Sequence, residues 1–303
     1  MVTKYSIKDL EHLSGIKAHT LRMWEQRYGV IEPHRTDTNI RYYLDEDLKR
    51  LLNISILVKH GIRISKVSKM SSKEMHEKVL ELSSYKGDYD SQINSLKVAM
   101  LDFDQELFEK VLNTAIFQMG AEEAFKNIIG SFICEMGVLW QTNAINVAHE
   151  HFISNLIRQK LFSAIDQLMV SSNTNEEVFV LYLPDQEMHE LSLLYLYYYL
   201  RKNGRKVIYL GQSVPHHYLY SVFKTTGARN FISIFTTRPF SEEIRDYYKD
   251  LDELFGKEDC WFHFTGFQTR EETYVSDTDE DRFRFFANVE ALKNTVLHRE
   301  AEA

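Results

Sequence analysis

Residues 17–29 read Lys-Ala-His-Thr-Leu-Arg-Met-Trp-Glu-Gln-Arg-Tyr-Gly. The stretch predicts a short helix over 17–28 that Gly29 stops. It carries Arg22 and Arg27, which can reach phosphates or guanine edges, beside the hydrogen-bonding side chains of His19, Thr20 and Tyr28. Upstream, residues 5–14 predict another helix: Ser6 and Asp9 have capping-box spacing, Ile7, Leu10 and Leu13 keep one face apolar, and Gly15 ends it. Downstream, 32–43 is polar, holds Pro33 and Asn39, and closes on Ile-Arg-Tyr-Tyr, which suits a small hairpin bearing donors at Arg35, Thr36, Asn39 and Arg41. Two helices across a tight turn, followed by such a wing, form a geometry that puts the second helix in a DNA major groove. On charge pattern alone, an ordinary small helical domain with solvated charges competes with that reading.

Further along, Asp45 is expected to cap a helix reaching His60 and Gly61, and Ser65 and Ser72 to cap two more ending near Leu82. Residues 83–91 read as a linker. Apolar positions at helical spacing (Val98, Leu101, Leu107, Val111, Leu112, Ile116) then predict a four-helix bundle, with breaks at Gly120, Gly137 and Thr142–Asn143. After a second linker at 171–177 the period changes. The apolar run 178–183 is followed by a helix to Asn203–Gly204, a strand at 206–211, a helix over 215–226 and a strand at 230–235. A helix over 241–255 and a strand at 260–266 complete a doubly wound parallel sheet. The expected domains are 1–82, 91–170 and 177–298, with the last residues frayed.

Composition sets outer limits. The 303 residues are 44% hydrophobic and 26% charged, an ordinary globular balance with few Pro and Gly. Cys134 and Cys260 have no metal or redox spacing, which fits a reducing compartment. Residues 1–10 hold no apolar signal segment, and no run is long enough for a membrane helix, so a soluble, cytoplasmic protein without a membrane partner is expected. The net charge of −8 hides an asymmetry: residues 1–80 carry 15 Lys and Arg against 10 Asp and Glu, a basic head on an acidic remainder. No nucleophile–base pair, phosphate loop or carboxylate pair signals catalysis, so no enzyme is expected. His149 and His151, and His216 and His217, do not share a helix face as ligand pairs would.

The run His19 to Gly29, with Pro33-x-Arg35-Thr36 and Ile40-Arg41-Tyr42-Tyr43, resembles the MerR family of transcription regulators over residues 5 to about 75. The resemblance implies a winged helix-turn-helix that binds double-stranded promoter DNA through Arg22, Trp24, Arg35, Arg41 and Tyr42. Trp24 also reads as a core residue. Metal-sensing members carry cysteines on the dimerisation helix; this chain has none there.

Two constellations mark the body. One is Trp140 with Glu150, His151 and Ser154; the other is Glu187-x-His189-x-x-Ser192 after the first strand of the α/β segment. Ligands of open parallel sheets bind beyond the carboxyl ends of strands, where His189 could meet a metal and Glu187 hold its other nitrogen. On the residues alone, Asp185 as a helix cap with His189 a surface residue, Trp140 as bundle core and Glu150 as a solvated residue read equally well.

Together the constellations resemble a cobalamin-binding module, a helical bundle followed by a Rossmann-like domain carrying Asp-x-His-x-x-Gly, Ser-x-Leu and Gly-Gly. Here 40 residues separate Ser192 from Ser233, and 29 separate Phe235 from Thr265-Gly266. Trp140-x9-Glu150-His151 is similar to the light- and cobalamin-dependent MerR repressors of the CarH and LitR type. That resemblance implies His189 as the cobalt ligand, Trp140 and Glu150 on the ring's upper side, and Ser233, Thr265 and Gly266 along the nucleotide tail. It further implies adenosylcobalamin as cofactor, a homodimer or tetramer whose assembly strengthens operator binding, and reversal by cobalt–carbon photolysis. The chain departs from the pattern at Glu187, a substitution those regulators tolerate, at Ser192 and Thr265, whose added side chains crowd the tail site, and at Gln141, where some photoreceptors have a second His. The alternatives are a regulator with a vestigial cobalamin fold that answers a protein partner or another ligand, and, remotely, a corrinoid enzyme subunit.

Overall fold

The computed structural model describes residues 4–36, 38–82, 89–141, 145–169, 177–240, 242–269 and 282–298. It divides into two compact units, Met1–Ile157 and Arg158–Ala303.

The first unit opens with α1 (Ile7–Ser14), whose Ser6 hydroxyl accepts from the Asp9 amide at 3.2 Å while the Asp9 carboxylate accepts from the Ser6 amide at 2.7 Å. Gly15 ends it at φ +72, and α2 (Ala18–Tyr28) stops at Gly29 with φ +59, a left-handed region where glycine carries no steric cost. Strands β1 (His34–Arg35) and β2 (Arg41–Tyr42) form the antiparallel wing, and Tyr5 and Tyr43 exchange backbone bonds of 2.9 Å. Helix α3 (Asp45–Lys59) is capped by Asp47, which accepts from the Leu44 amide at 2.9 Å, rather than by Asp45. The caps of α4 (Ile64–Val67) and α5 (Ser72–Leu82) likewise shift. Ser65 lies inside α4, and Ser71 with Glu74, not Ser72, makes the reciprocal cap. Leu10, Leu13, Leu21, Trp24, Tyr43, Leu48, Leu51 and Leu52 are buried as the core of this head.

Helices α6 (Tyr89–Leu101), α7 (Gln105–Met119), α8 (Ala121–Ala124) and α9 (Gly130–Gln141) follow, α8 running into α9 through a π-helical turn at Phe125–Ile129. Helix α10 spans Val147–Asp166. Four helical runs were expected, but two boundaries move. Tyr89, Asp90 and Ser91 are helical rather than linker, and Gly137 sits inside α9. The break that sequence reading missed is Asp102–Asp104. There Phe103 takes φ +54, Asp104 caps α7 through the Leu107 amide at 2.9 Å, and the Phe103 ring stacks on His149 at 4.5 Å. Residues 83–88, 142–144 and 171–176, where linkers or a break were expected, lie outside the described residues.

The second unit is a five-stranded parallel sheet: β3 (Val178–Pro184), β4 (Lys206–Val214), β5 (Asn230–Ile234), β6 (Trp261–Thr265) and β7 (Phe283–Phe285), in the order β4-β3-β5-β6-β7. Side chains alternate across it. Phe179, Leu181 and Leu183 pack with α11 (Leu191–Lys202) and α14 (Val289–His298), while Val180 and Tyr182 face α12 (Leu219–Thr226) and α13 (Ile244–Phe255). Residues 241–255 were expected to be helical throughout, but α13 begins at Ile244. Strand β7 and helix α14 were not anticipated: β7 is short, and the Asn288 side chain that accepts from the Ala291 amide at 2.9 Å was not read as the start of α14. Because β4 lies on one side of β3 and β5 on the other, the strand order reverses between β3 and β5. Such a reversal opens a crevice at the carboxyl ends of these two strands.

Candidate functional site

On α2 the side chains of His19, Arg22 and Arg27 are exposed, and Thr20 and Tyr28 are half-buried. On the wing, Arg35, Asn39 and Arg41 are exposed and Thr36 and Tyr42 half-buried. The wing is ordered internally: an Arg35 guanidinium nitrogen donates to Asn39 Oδ1 at 2.7 Å, the Ile40 amide donates to Thr36 Oγ1 at 3.0 Å, and His34 stacks on Tyr42 at 5.4 Å. Arg41 Nε lies 3.7 Å from Glu25, which also accepts from the Tyr43 hydroxyl at 2.8 Å and so ties wing to helix. The exposed guanidiniums present a positive, donor-rich face of the kind that holds phosphates. Trp24 is only 8% exposed, so its ring packs with the core of the head, the second of the two readings the sequence left open.

In the second unit the crevice between β3 and β5 is built around Glu187. Its carboxylate is fully buried, and one oxygen accepts from the His189 amide at 3.0 Å and from His189 Nδ1 at 2.6 Å. The other accepts from the amides of Thr236, Thr237 and Arg238 at 3.1, 2.6 and 2.9 Å and from the Thr237 hydroxyl at 3.1 Å. Burial alone would raise this carboxyl's pKa. The bonds from His189 and from the Thr237, His189 and Arg238 amides outweigh burial and hold it at about 2. The carboxylate therefore stays ionised and accepts from Nδ1, which leaves Nε2 as the imidazole nitrogen suited to a metal. The His189 side chain is 53% exposed. Asp185 does not cap α11: its carboxylate holds the Gln186 amide at 3.0 Å and the Ser213 hydroxyl at 2.9 Å, which fixes the base of the same loop. Glu190 accepts from Arg158 Nε at 2.6 Å and from the Tyr209 hydroxyl at 2.7 Å, and Ser192 is half-buried in the first turn of α11.

Sequence reading missed the amide cradle at 236–238 and an apolar rim. Met188, Tyr218, Phe240 and Phe267 are each at least two-fifths exposed and follow β3, β4, β5 and β6 respectively, so each belongs to a loop at the carboxyl edge of the sheet. Exposed apolar side chains gathered at one edge mark a binding surface. The signal was available, since each lies a few residues past a predicted strand, but only strand order shows that these loops share an edge.

Residues 5–74 match the family described as MerR HTH family regulatory protein, and residues 92–163 match the B12 binding domain. The chain joins a MerR-type head to a B12-binding domain. It is 29% identical over 217 residues to the HTH-type transcriptional repressor CarH of Myxococcus xanthus, covering 70% of this chain and 72% of that one. It is also 28% identical over 211 residues to CarA of the same organism, another HTH-type transcriptional repressor, at 69% and 68% coverage. A solved structure, the monomethylamine corrinoid protein of Methanosarcina barkeri, aligns over 75% of this chain and 99% of its own with 12% identity and a TM-score of 0.49.

In the B12-binding domain, Trp140 on α9 is 48% exposed rather than core. Glu150 on α10 is not merely solvated, because its carboxylate accepts from the Ser154 hydroxyl at 2.7 Å and lies 2.7 Å from His151 Nδ1. Whether a corrinoid suits the α/β unit has a divided answer. An imidazole pinned by a buried carboxylate, at a sheet edge that also carries exposed apolar side chains, has the donor chemistry to hold a corrinoid's cobalt. The positions expected along the tail are closed: Ser233 and Thr265 are 0% and 1% exposed, and Ser233 spends its hydroxyl on the Tyr182 carbonyl at 2.9 Å. Gly266 is required for the close approach of the protein's own backbone. A Cβ there would stand 2.3 Å from the Phe235 carbonyl oxygen.

Proposed function

We propose that the chain is a transcription regulator, a repressor rather than an enzyme, whose head binds operator DNA and whose hold on it is set by a corrinoid at His189. The head's exposed arginines and the CarH and CarA likeness support the DNA half. The observation that carries the corrinoid half is the Glu187–His189 bond of 2.6 Å at the point where strand order reverses. Bound there, a corrinoid would supply a metal centre and a light-absorbing ring. Glu187 and Thr237 would hold the His189 imidazole and Met188, Phe240 and Phe267 would supply apolar contact, while Trp140, Glu150 and His151, within the matched B12 binding domain, are carried over as further corrinoid-binding residues by the resemblance. We place the domains at 1–82, 91–170 and 177–298, the protein in the cytoplasm, and self-association in its working form. No helix among the described residues is long and apolar enough to cross a membrane. Adenosylcobalamin as the bound form, and light as the signal, belong to the same proposal. Linking heads through assembly raises operator affinity ~10²–10⁴-fold without new contacts.

The test is the absorption spectrum of the full chain incubated with adenosylcobalamin in the dark and gel-filtered, alongside His189→Ala. Retained colour with a histidine-ligated spectrum, lost in the variant, and operator affinity that changes with occupancy and with light are expected. A colourless wild type with unchanged DNA affinity refutes the proposal. The sealed Ser233 and Thr265 favour the second reading, a cobalamin fold answering a different ligand or partner, and the colourless outcome would select it.

A further inference from the structure

Below the His189 loop, the interior between the sheet and α13 is filled by this chain's own rings. Tyr182 and Phe235 are fully buried, and Tyr247 is 9% exposed. The Tyr247 hydroxyl donates to the Tyr182 hydroxyl at 3.1 Å, and the Phe235 ring sits 5.4 Å from Tyr247 and 5.0 Å from Phe264. Above them the ends of β5 and β6 are stitched together. The Phe235 amide donates to the Thr265 carbonyl at 2.8 Å, the Gln268 amide donates to the Phe235 carbonyl at 3.1 Å, and the Phe235 backbone lies where a side chain on Gly266 would have to go. Thr265 pairs with Ile234 and, by the alternation of β6, faces α11 and α14 on the other side of the sheet, where its Oγ1 is buried without a hydrogen-bond partner among the described residues. Passage of a planar heterocycle and its sugar-phosphate between β5 and β6 would break the Phe235–Thr265 ladder and the Tyr182–Tyr247 bond and displace several close-packed rings. Interiors at native density do not yield such space without concerted repacking.

Resting on the function proposed above, we infer that the site recognises its corrinoid through the ring alone. His189 and the apolar rim bind the metal and the flat face, while Tyr182, Phe235 and Tyr247 exclude the nucleotide arm and leave it in water. The ligand class is thus a cobalt macrocycle for which a nucleotide arm contributes no affinity. In free cobalamin the arm's own base covers the cobalt face that His189 would take, so on this chain the arm competes and does not help.

The experiment titrates the full chain with diaquocobinamide, which lacks the nucleotide, and with aquocobalamin, and reads the shift of the corrin bands. Equal or tighter binding of the cobinamide, to within about threefold, is expected, with amide exchange over Ile244–Phe255 unchanged by either ligand. Cobalamin binding more than about threefold tighter, or loosened exchange across that helix on binding it, overturns the inference while leaving the parent proposal standing. No spectral shift with either corrinoid overturns both.

Discussion

Replacing Glu187 by Gln tests the geometry on which the site depends. The wild-type carboxylate accepts six hydrogen bonds, two from His189 and four from the 236–238 loop. An amide has one acceptor oxygen and an NH2 group that only donates. With the oxygen kept in the 236–238 cradle, the NH2 faces His189 and forces Nδ1 to accept. The imidazole proton then moves to Nε2 and the metal-facing lone pair is lost. The energetic part follows from the carboxyl's fall from 4.5 to about 2. Allowing for solvent around the half-exposed His189, the charge contributes on the order of 2–3 kcal/mol to folding at pH 7. Because the folded-state pKa is the depressed one, that contribution is complete above about 4.5 and disappears as pH falls through about 2. Urea unfolding of the full chain should therefore show Glu187→Gln weaker by this amount at pH 7, with the gap narrowing below pH ~4.5. Histidine ¹H–¹⁵N spectra should show the His189 proton on Nδ1 in the wild type and on Nε2 in the variant. An equally stable variant at pH 7, a gap that does not narrow in acid, or an unchanged tautomer would each refute the reasoning.

Other substitutions address the remaining elements. Arg22→Ala should weaken operator binding roughly evenly across sequences or relax one base position, costing about 1–3 kcal/mol; a phosphate role is distinguished by a salt-dependence slope lower by about 1. Trp24→Phe should lower the melting temperature while leaving DNA affinity within about threefold, since the ring packs inward; a folded variant with DNA binding lost would return Trp24 to the interface. Gly266→Ala should destabilise the second unit by on the order of 2–4 kcal/mol, because its Cβ would meet the Phe235 carbonyl at 2.3 Å in a left-handed backbone region. Denaturant unfolding checks it, and a neutral result would mean that the β5–β6 seam relaxes readily.

The local elements were legible because local rules govern them. Ser6 with Asp9 announced α1, Gly15 and Gly29 announced the ends of α1 and α2, and the unbroken apolar run at 178–183 announced a strand covered on both faces. Where reading failed, two nearby residues offered the same chemistry and packing chose between them. Asp47 caps α3 in place of Asp45 and Ser71 caps α5 in place of Ser72. The bend at Phe103, whose ring stacks on His149, was a separate miss, since it depends on a contact 46 residues away along the chain. His189 and Glu187 could be singled out in the sequence as neighbours two apart. The 236–238 amides that keep the carboxylate ionised, the loops that form the apolar rim and the rings that close the seam are tens of residues away along the chain. Residue type and short spacing were enough to pick out Glu187 and His189 as a pair. Their surroundings follow from the reversal of strand order between β3 and β5, which brings those distant loops to one edge of the sheet.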